Sequence, residues 1–334
     1  MNVSSEASST KTGYRDFVSV LLALAVVRIV LPLIPVPIPV ASFIDFLLLI
    51  GVFVATIFAI YRAMSETPKP KLALVFLLFG VFLQLLAIFV LGPAVGQTGI
   101  LAVSVGALRD SGLMIWCIGL GALIASLLRE KNILIPVGMF LIAYDIFLVL
   151  APKGFVQQSL KADPSVFQKM ALSIPKTSTV AHSASSAITA TAGYVGPADL
   201  VFLGAFFLAM FRFQMKPRET LLWMIPALII YMIIVLVTGW NLPALVPIGL
   251  VTLLVNRKQF QLSKDEWMST LVLGVIAAGV LGFLATRKPA SPTEPSPSEV
   301  SSELRAPAGS PEQGDANQPQ SPDQNAPQNK PGPR

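Results

Sequence analysis

Apolar residues in this chain gather into runs of roughly twenty, set apart by short polar or basic breaks. A hydrocarbon core about 30 Å thick is crossed by about 20 helical residues, so each run predicts a membrane helix. The runs are Phe17–Ile34, Phe43–Arg62, Leu72–Leu91, Gly99–Leu128, Ile133–Leu150, Pro197–Phe213, Leu221–Val237, Leu242–Val255 and Met268–Thr286. Only Gly99–Leu128 is ambiguous, because Arg109-Asp110-Ser111-Gly112 could turn the chain midway. As one helix it makes about nine spans in total, and as two short spans about ten. The first run is too long for a signal-peptide core and no small-residue cleavage pattern follows it, so it predicts a retained helix. The Pro-Val-Pro-Ile-Pro stretch that comes next predicts a stiff turn.

The polar breaks divide the chain further. Residues 1–16 form a Ser/Thr-rich polar tail, and 17–150 hold the N-terminal membrane helices. Residues 151–192 make a polar connecting loop with Lys153, Lys161, Lys169 and Lys176, long enough to be a gate, a docking segment or a plain solvated connector. The C-terminal membrane helices occupy 193–288. Residues 289–334 carry 11 prolines and almost no large apolar side chains, which predicts a disordered tail. The expected fold is therefore an all-α polytopic membrane protein, a bundle of about nine helices with that tail appended.

Composition sharpens this picture. Of 334 residues, 54% are hydrophobic and 13% charged, against about 25% charged in soluble domains. The net charge of +6 is uneven: from Pro289 onward six acidic and three basic residues give −3, leaving +9 on the rest. That surplus collects in short loops, so membrane topology accounts for it and no nucleic-acid partner is expected. With Gly99–Leu128 as one helix, Lys11/Arg15, Arg62/Lys69/Lys71, Arg129/Lys131, Arg212/Lys216/Arg218 and Arg257/Lys258/Lys264 all fall on one side. The positive-inside rule makes that side, and the N-terminus, cytoplasmic. Splitting the run would move the last two clusters outside, which favours the nine-helix count.

Candidate chemistry centres on two carboxylates. Asp145 lies five residues before the end of its apolar run, and Asp199 lies three residues inside another. A charge at the bilayer centre costs about 2.5–3.5 kcal/mol on insertion scales, so such residues are functional-site candidates by default. On the nine-helix count both sit near the same membrane surface. Gly196 and Pro197 make a favourable helix start, and Asp199 falls in the first turn, where the positive helix end favours an anion. Two carboxylates sharing a proton can hydrolyse a peptide bond, one activating water while the other polarises the carbonyl. They can equally well satisfy helix ends within a bundle, and periodicity does not separate the two. A third stretch, Trp240-Asn241-Leu242-Pro243-Ala244-Leu245-Val246-Pro247, opens a later helix with two prolines. Backbone groups left unpaired there are tolerated at membrane depth only beside a cavity or protein.

In this order, Tyr144-Asp145, then Gly196-Pro197-Ala198-Asp199, then Pro243-Ala244-Leu245, the chain resembles the presenilin and signal peptide peptidase family of GxGD-type intramembrane aspartyl proteases. The separations, 199 − 145 = 54 and 243 − 199 = 44, are similar to that family's layout. The resemblance covers about residues 130–255. It implies that Asp145 and Asp199 form a catalytic dyad, that Tyr144 packs beside it, that Gly196 is the first glycine of the motif, and that Pro243-Ala244-Leu245 borders the active site and helps hold an unwound substrate. The substrates it implies are transmembrane proteins or peptides within the lipid bilayer, with no cofactor. Two departures stand out. Ala198 occupies the place of the family's second glycine, which raises the alternative of a catalytically dead member. The motifs fall in the fifth and eighth helices here, where the family has them in the sixth and ninth, and Met268–Thr286 is extra.

A proton- or cation-coupled transporter or channel using the same aspartates is a further alternative, although no internal hydropathy repeat accompanies it. Among other polar residues, Arg28 in the first run predicts snorkelling or an internal ion pair, and Gln84 a helix–helix hydrogen bond. The lone cysteine, Cys117, excludes an internal disulfide and a cysteine-based metal site. His182, the single histidine, has no Cys or carboxylate cluster beside it, so no metal site is predicted.

Overall fold

Prolines set where several of the helices begin. In the computed structural model, which describes residues 3–31, 34–95, 99–150, 169–176, 178–179, 191–238, 243–261, 263 and scattered positions from 268 to 282, helices open at Pro70, Pro197 and Pro217. A proline at the first helical position has the right φ and lacks an N–H that would have no intrahelical partner anyway.

The helices are α1 (Val3–Val30), α2 (Ile38–Ser65), α3 (Pro70–Val95), α4 (Ile100–Leu127), α5 (Leu134–Leu150), α6 (Pro197–Arg212), α7 (Pro217–Thr238) and α8 (Leu245–Asn256). Among the described residues five helices are long and apolar enough to cross a membrane: Val40–Ser65, Pro70–Val95, Ile100–Leu127, Lys131–Val149 and Pro217–Thr238. The chain is thus a predominantly helical membrane protein. All described residues fall within one compact unit, Met1–Pro289.

Several boundaries differ from the sequence expectation. Helix α1 runs back through the polar N-terminal segment to Val3 and stops at Val30, before the proline at position 32 that would strip a helical hydrogen bond. Helix α8 starts at Leu245, three residues later than the apolar run. Within the Gly99–Leu128 run a single helix continues unbroken from Ile100 to Leu127, so Arg109-Asp110-Ser111-Gly112 is not a turn. The Pro/Ser-rich tail, His182 and most of 151–192 and 264–286 lie outside the described residues.

Two short sheets interrupt the helical pattern. Strand β1 (Pro35–Val36) pairs in parallel with β3 (Ser178–Thr179), and β2 (Leu172–Pro175) pairs antiparallel with β4 (Thr191–Val195). In the second sheet Ser173 stands opposite Tyr194, and β4 leads directly into α6. Strands of two to five residues are too short for alternation to announce them in a sequence.

Helix α4 is the hub, packed mainly against α3 and α6. Glycines permit the close approach to α3: a Cβ on Gly112 would lie 2.7 Å from the Gln84 backbone nitrogen, and one on Gly119 would lie 2.7 Å from the Ala73 carbonyl oxygen. Gly121 plays the same part against α6, where an added Cβ would lie 2.5 Å from the Val201 carbonyl oxygen. Small residues at such crossings let backbones touch where lipid supplies no hydrophobic drive between helices. Gly112→Ala is therefore expected to cost about 1–3 kcal/mol by overpacking. Thermal unfolding in detergent checks this, with Gly51→Ala as control, since nothing lies within 4 Å of that added methyl.

Polar contacts tie several helix ends together. Arg62 Nε donates to Asp16 Oδ2 at 2.8 Å, Arg212 Nη1 donates to the Ala125 carbonyl at 3.1 Å, and Asn132 Nδ2 donates to the Gln261 carbonyl at 2.9 Å. Buried Asn256 on α8 joins α6 and α7, donating to Met210 Sδ at 3.4 Å and to Thr220 Oγ1 at 2.9 Å, and it also donates to the Thr252 carbonyl at 2.9 Å and accepts from the Lys216 N–H at 3.0 Å.

Candidate active site

Asp199 is placed by a helix start that the local sequence dictates. Gly196 caps α6 with φ −65° and ψ 142°, Pro197 takes the first helical position, and Asp199 falls in the first turn. Its carboxylate accepts a hydrogen bond from the Gly196 backbone N–H, the reciprocal half of a capping box. A Cβ on Gly196 would stand 3.1 Å from Asp199 Oδ2, so a larger residue there would press on the carboxylate. Ala198 is exposed, so its methyl is accommodated where the resembling family has glycine.

Asp145 comes from the last turns of α5, whose main packing partner is α8. Gly249 on α8 lets that contact close: a Cβ there would lie 2.9 Å from Ile142 Cγ1. The consequence is direct. The Leu245 backbone N–H, an unpaired donor at the start of α8, donates to Asp145 Oδ2 at 2.7 Å. Pro243 is buried beside it and Ala244 half-buried. The Tyr-Asp and Pro-Ala-Leu stretches, 100 residues apart, thus meet at one hydrogen bond.

The two carboxylates are half-buried and within electrostatic reach of each other. Three segments remote in sequence therefore converge: the end of α5, the start of α6 and the start of α8. Because α5 packs chiefly on α8 while α6 packs on α4 and α2, the carboxylates approach from separate helix groups. Tyr144 is not turned to this centre in the same way. It is exposed, and its ring stacks on Phe140 with centroids 5.8 Å apart.

Two residues that hydropathy did not single out complete the surroundings. Tyr231, midway along α7, lies within electrostatic reach of both Asp145 and Asp199. Cys117, buried in α4, points its thiol at the Pro197 carbonyl oxygen, 3.6 Å away, and lies in electrostatic reach of Asp199. A tyrosine in an apolar run reads as an interfacial anchor, so only the packing of α7 reveals its position.

Nearer the start of α4, Asp110 is buried at 6% exposure and binds both Arg28 and Arg109, the latter at 2.9 Å. It also accepts from Ser173 Oγ at 2.8 Å and from the Ser173 N–H at 3.3 Å. Arg28 is in an internal ion pair, as one of the two sequence expectations had it. Gln84 likewise bonds between helices, accepting from the Trp116 indole N–H. Among the described residues no three His, Cys, Asp or Glu side chains gather as metal ligands would. Comparison with known proteins finds no matching family model, no curated relative and no matching solved structure.

Proposed function

We propose that the chain is an intramembrane aspartyl protease of the presenilin and signal peptide peptidase type, multi-pass with about nine spans and a cytoplasmic N-terminus. The observation that carries this reading is the convergence of Asp145, Asp199 and the Leu245 N–H, each from a different helix terminus. The substrate is a membrane-spanning segment of another protein. A helix must unwind before its carbonyls can be attacked, and helix termini beside the dyad supply the polar groups an unwound chain requires.

In this reading the ionised aspartate takes a proton from water as the oxygen attacks the scissile carbonyl. The protonated aspartate donates to the carbonyl oxygen and stabilises the tetrahedral species. On collapse the dyad passes one proton to the departing amine and takes one back from a tetrahedral hydroxyl as the carbonyl reforms, so it ends with the single shared proton it began with. The Leu245 N–H holds Asp145 in place throughout.

Cleavage of a single-span reporter in proteoliposomes tests the assignment against variants of each aspartate. Ion flux that vanishes in those variants, with no cleavage by the wild type, would assign the same acids to transport instead. Ala198 supports a second reading, a substrate-binding member without activity. The exposed position of Ala198 leads us to expect that Ala198→Gly cleaves at the wild-type rate. Activity appearing only in Ala198→Gly would establish the inactive reading.

A further inference from the structure

Arg28 and Arg109 share a single carboxylate, Asp110, in the interior of α4. Guanidinium groups stay protonated in proteins, so two of them on one aspartate leave a positive charge over. Their other contacts are neutral: Arg109 Nη2 donates to Ser173 Oγ at 2.9 Å and Arg28 Nη1 to the Ser173 carbonyl at 3.3 Å. Tyr194, within electrostatic reach of both arginines, brings a phenol and not a carboxylate. Among the described residues Asp110 is the one acid in ion-pair contact with either arginine.

Arg109 also lines a cavity of about 480 Å³ between the end of α3 and the start of α4. Its second cation is Lys169, and its walls include Ala87, Ile88, Ala102 and Val105. The helix beside it is widened by a π-helical turn, Leu86–Leu91, a feature frequent at functional sites. Outside the cavity, Phe89 is 71% and Leu101 64% exposed, on helices long and apolar enough to cross a membrane. Two cations on one cavity, one of them sharing its carboxylate with a second arginine, apolar walls and exposed apolar side chains on the same two helices make one pattern.

We propose that this cavity holds the phosphate headgroup of an anionic lipid, bound by Arg109 and Lys169, with its acyl chains laid over Phe89 and Leu101. The site is separate from the dyad and does not depend on the proteolytic reading. A soluble phosphate would satisfy the charge but leave the apolar mouth uncovered.

The test is native mass spectrometry of the full-length protein in detergent, titrated with palmitoyl-oleoyl phosphatidylglycerol or phosphatidylcholine. One phosphatidylglycerol is expected to bind in preference to phosphatidylcholine and to survive addition of inorganic phosphate. Lys169→Gln is expected to weaken it about fivefold, the contribution of one basic residue at an anionic surface. Val105→Trp, which fills the cavity, is expected to abolish it. Equal binding of the two lipids, unchanged binding in both variants, or displacement by inorganic phosphate would each overturn the assignment.

Discussion

Asp199→Asn and Asp145→Asn are each expected to abolish cleavage of a single-span reporter. Positioned acid–base groups contribute about 10²–10⁴-fold to a rate. Groups that act as a unit do not add, so the double variant should be no slower than either single one. Asparagine suits the experiment because it keeps the acceptor for the Leu245 N–H at position 145 and for the Gly196 N–H at position 199. Folding should persist, and thermal melting in the same detergent verifies it. Additive losses would mean that the two acids work independently. Equal cleavage by all the forms would end the proteolytic reading.

Asp110→Asn is expected to destabilise the protein by about 3–5 kcal/mol, because it strands two buried arginines. Its effect should exceed that of any single charge removed from the exposed Lys216–Glu219 pair, 2.7 Å apart at the surface, where such pairs are worth about 0–1 kcal/mol. The damage should also travel. Ser173 is held by Asp110 and stands opposite Tyr194, five positions before Asp199 on the strand that feeds α6. Replacing Arg28, Arg109 and Asp110 together by apolar residues of similar size should restore most of the loss, since breaking a buried pair costs far more than exchanging it whole. Equilibrium unfolding of the single and triple variants decides the matter, and an unchanged midpoint for Asp110→Asn would refute the role given to the cluster.

The same aspartate shows where sequence reading stops. Arg109-Asp110-Ser111-Gly112 has the composition of a turn, yet it continues a helix because Arg28 from α1 and Ser173 from β2 meet its charge. Those partners are 82 and 63 positions away, and local pattern carries no sign of them. What hydropathy does reveal is depth: the apolar runs locate the helices, and isolated acids within them stand out. Proline and glycine reveal helix starts, so Asp199 in the first turn of α6 was legible. The meeting of Asp145 with Leu245 was implied only by a resemblance, and depends on the close contact at Gly249 that lets α8 approach α5. Tyr231 was not legible, because a residue in a uniformly apolar helix has no marked face. The strands escaped notice because segments so short are organised by tertiary contact and not by alternation.

Should Asp145 and Asp199 act together, a substrate mimic must bridge them. Cryo-electron microscopy of the lipid-embedded protein with a peptide whose scissile bond is replaced by a hydroxyl-bearing isostere measures this directly. The expected result is the isostere hydroxyl about 2.6–3.2 Å from a carboxylate oxygen of each aspartate. An isostere bound elsewhere, or one that reaches a single aspartate while the other faces a different compartment, would contradict the account.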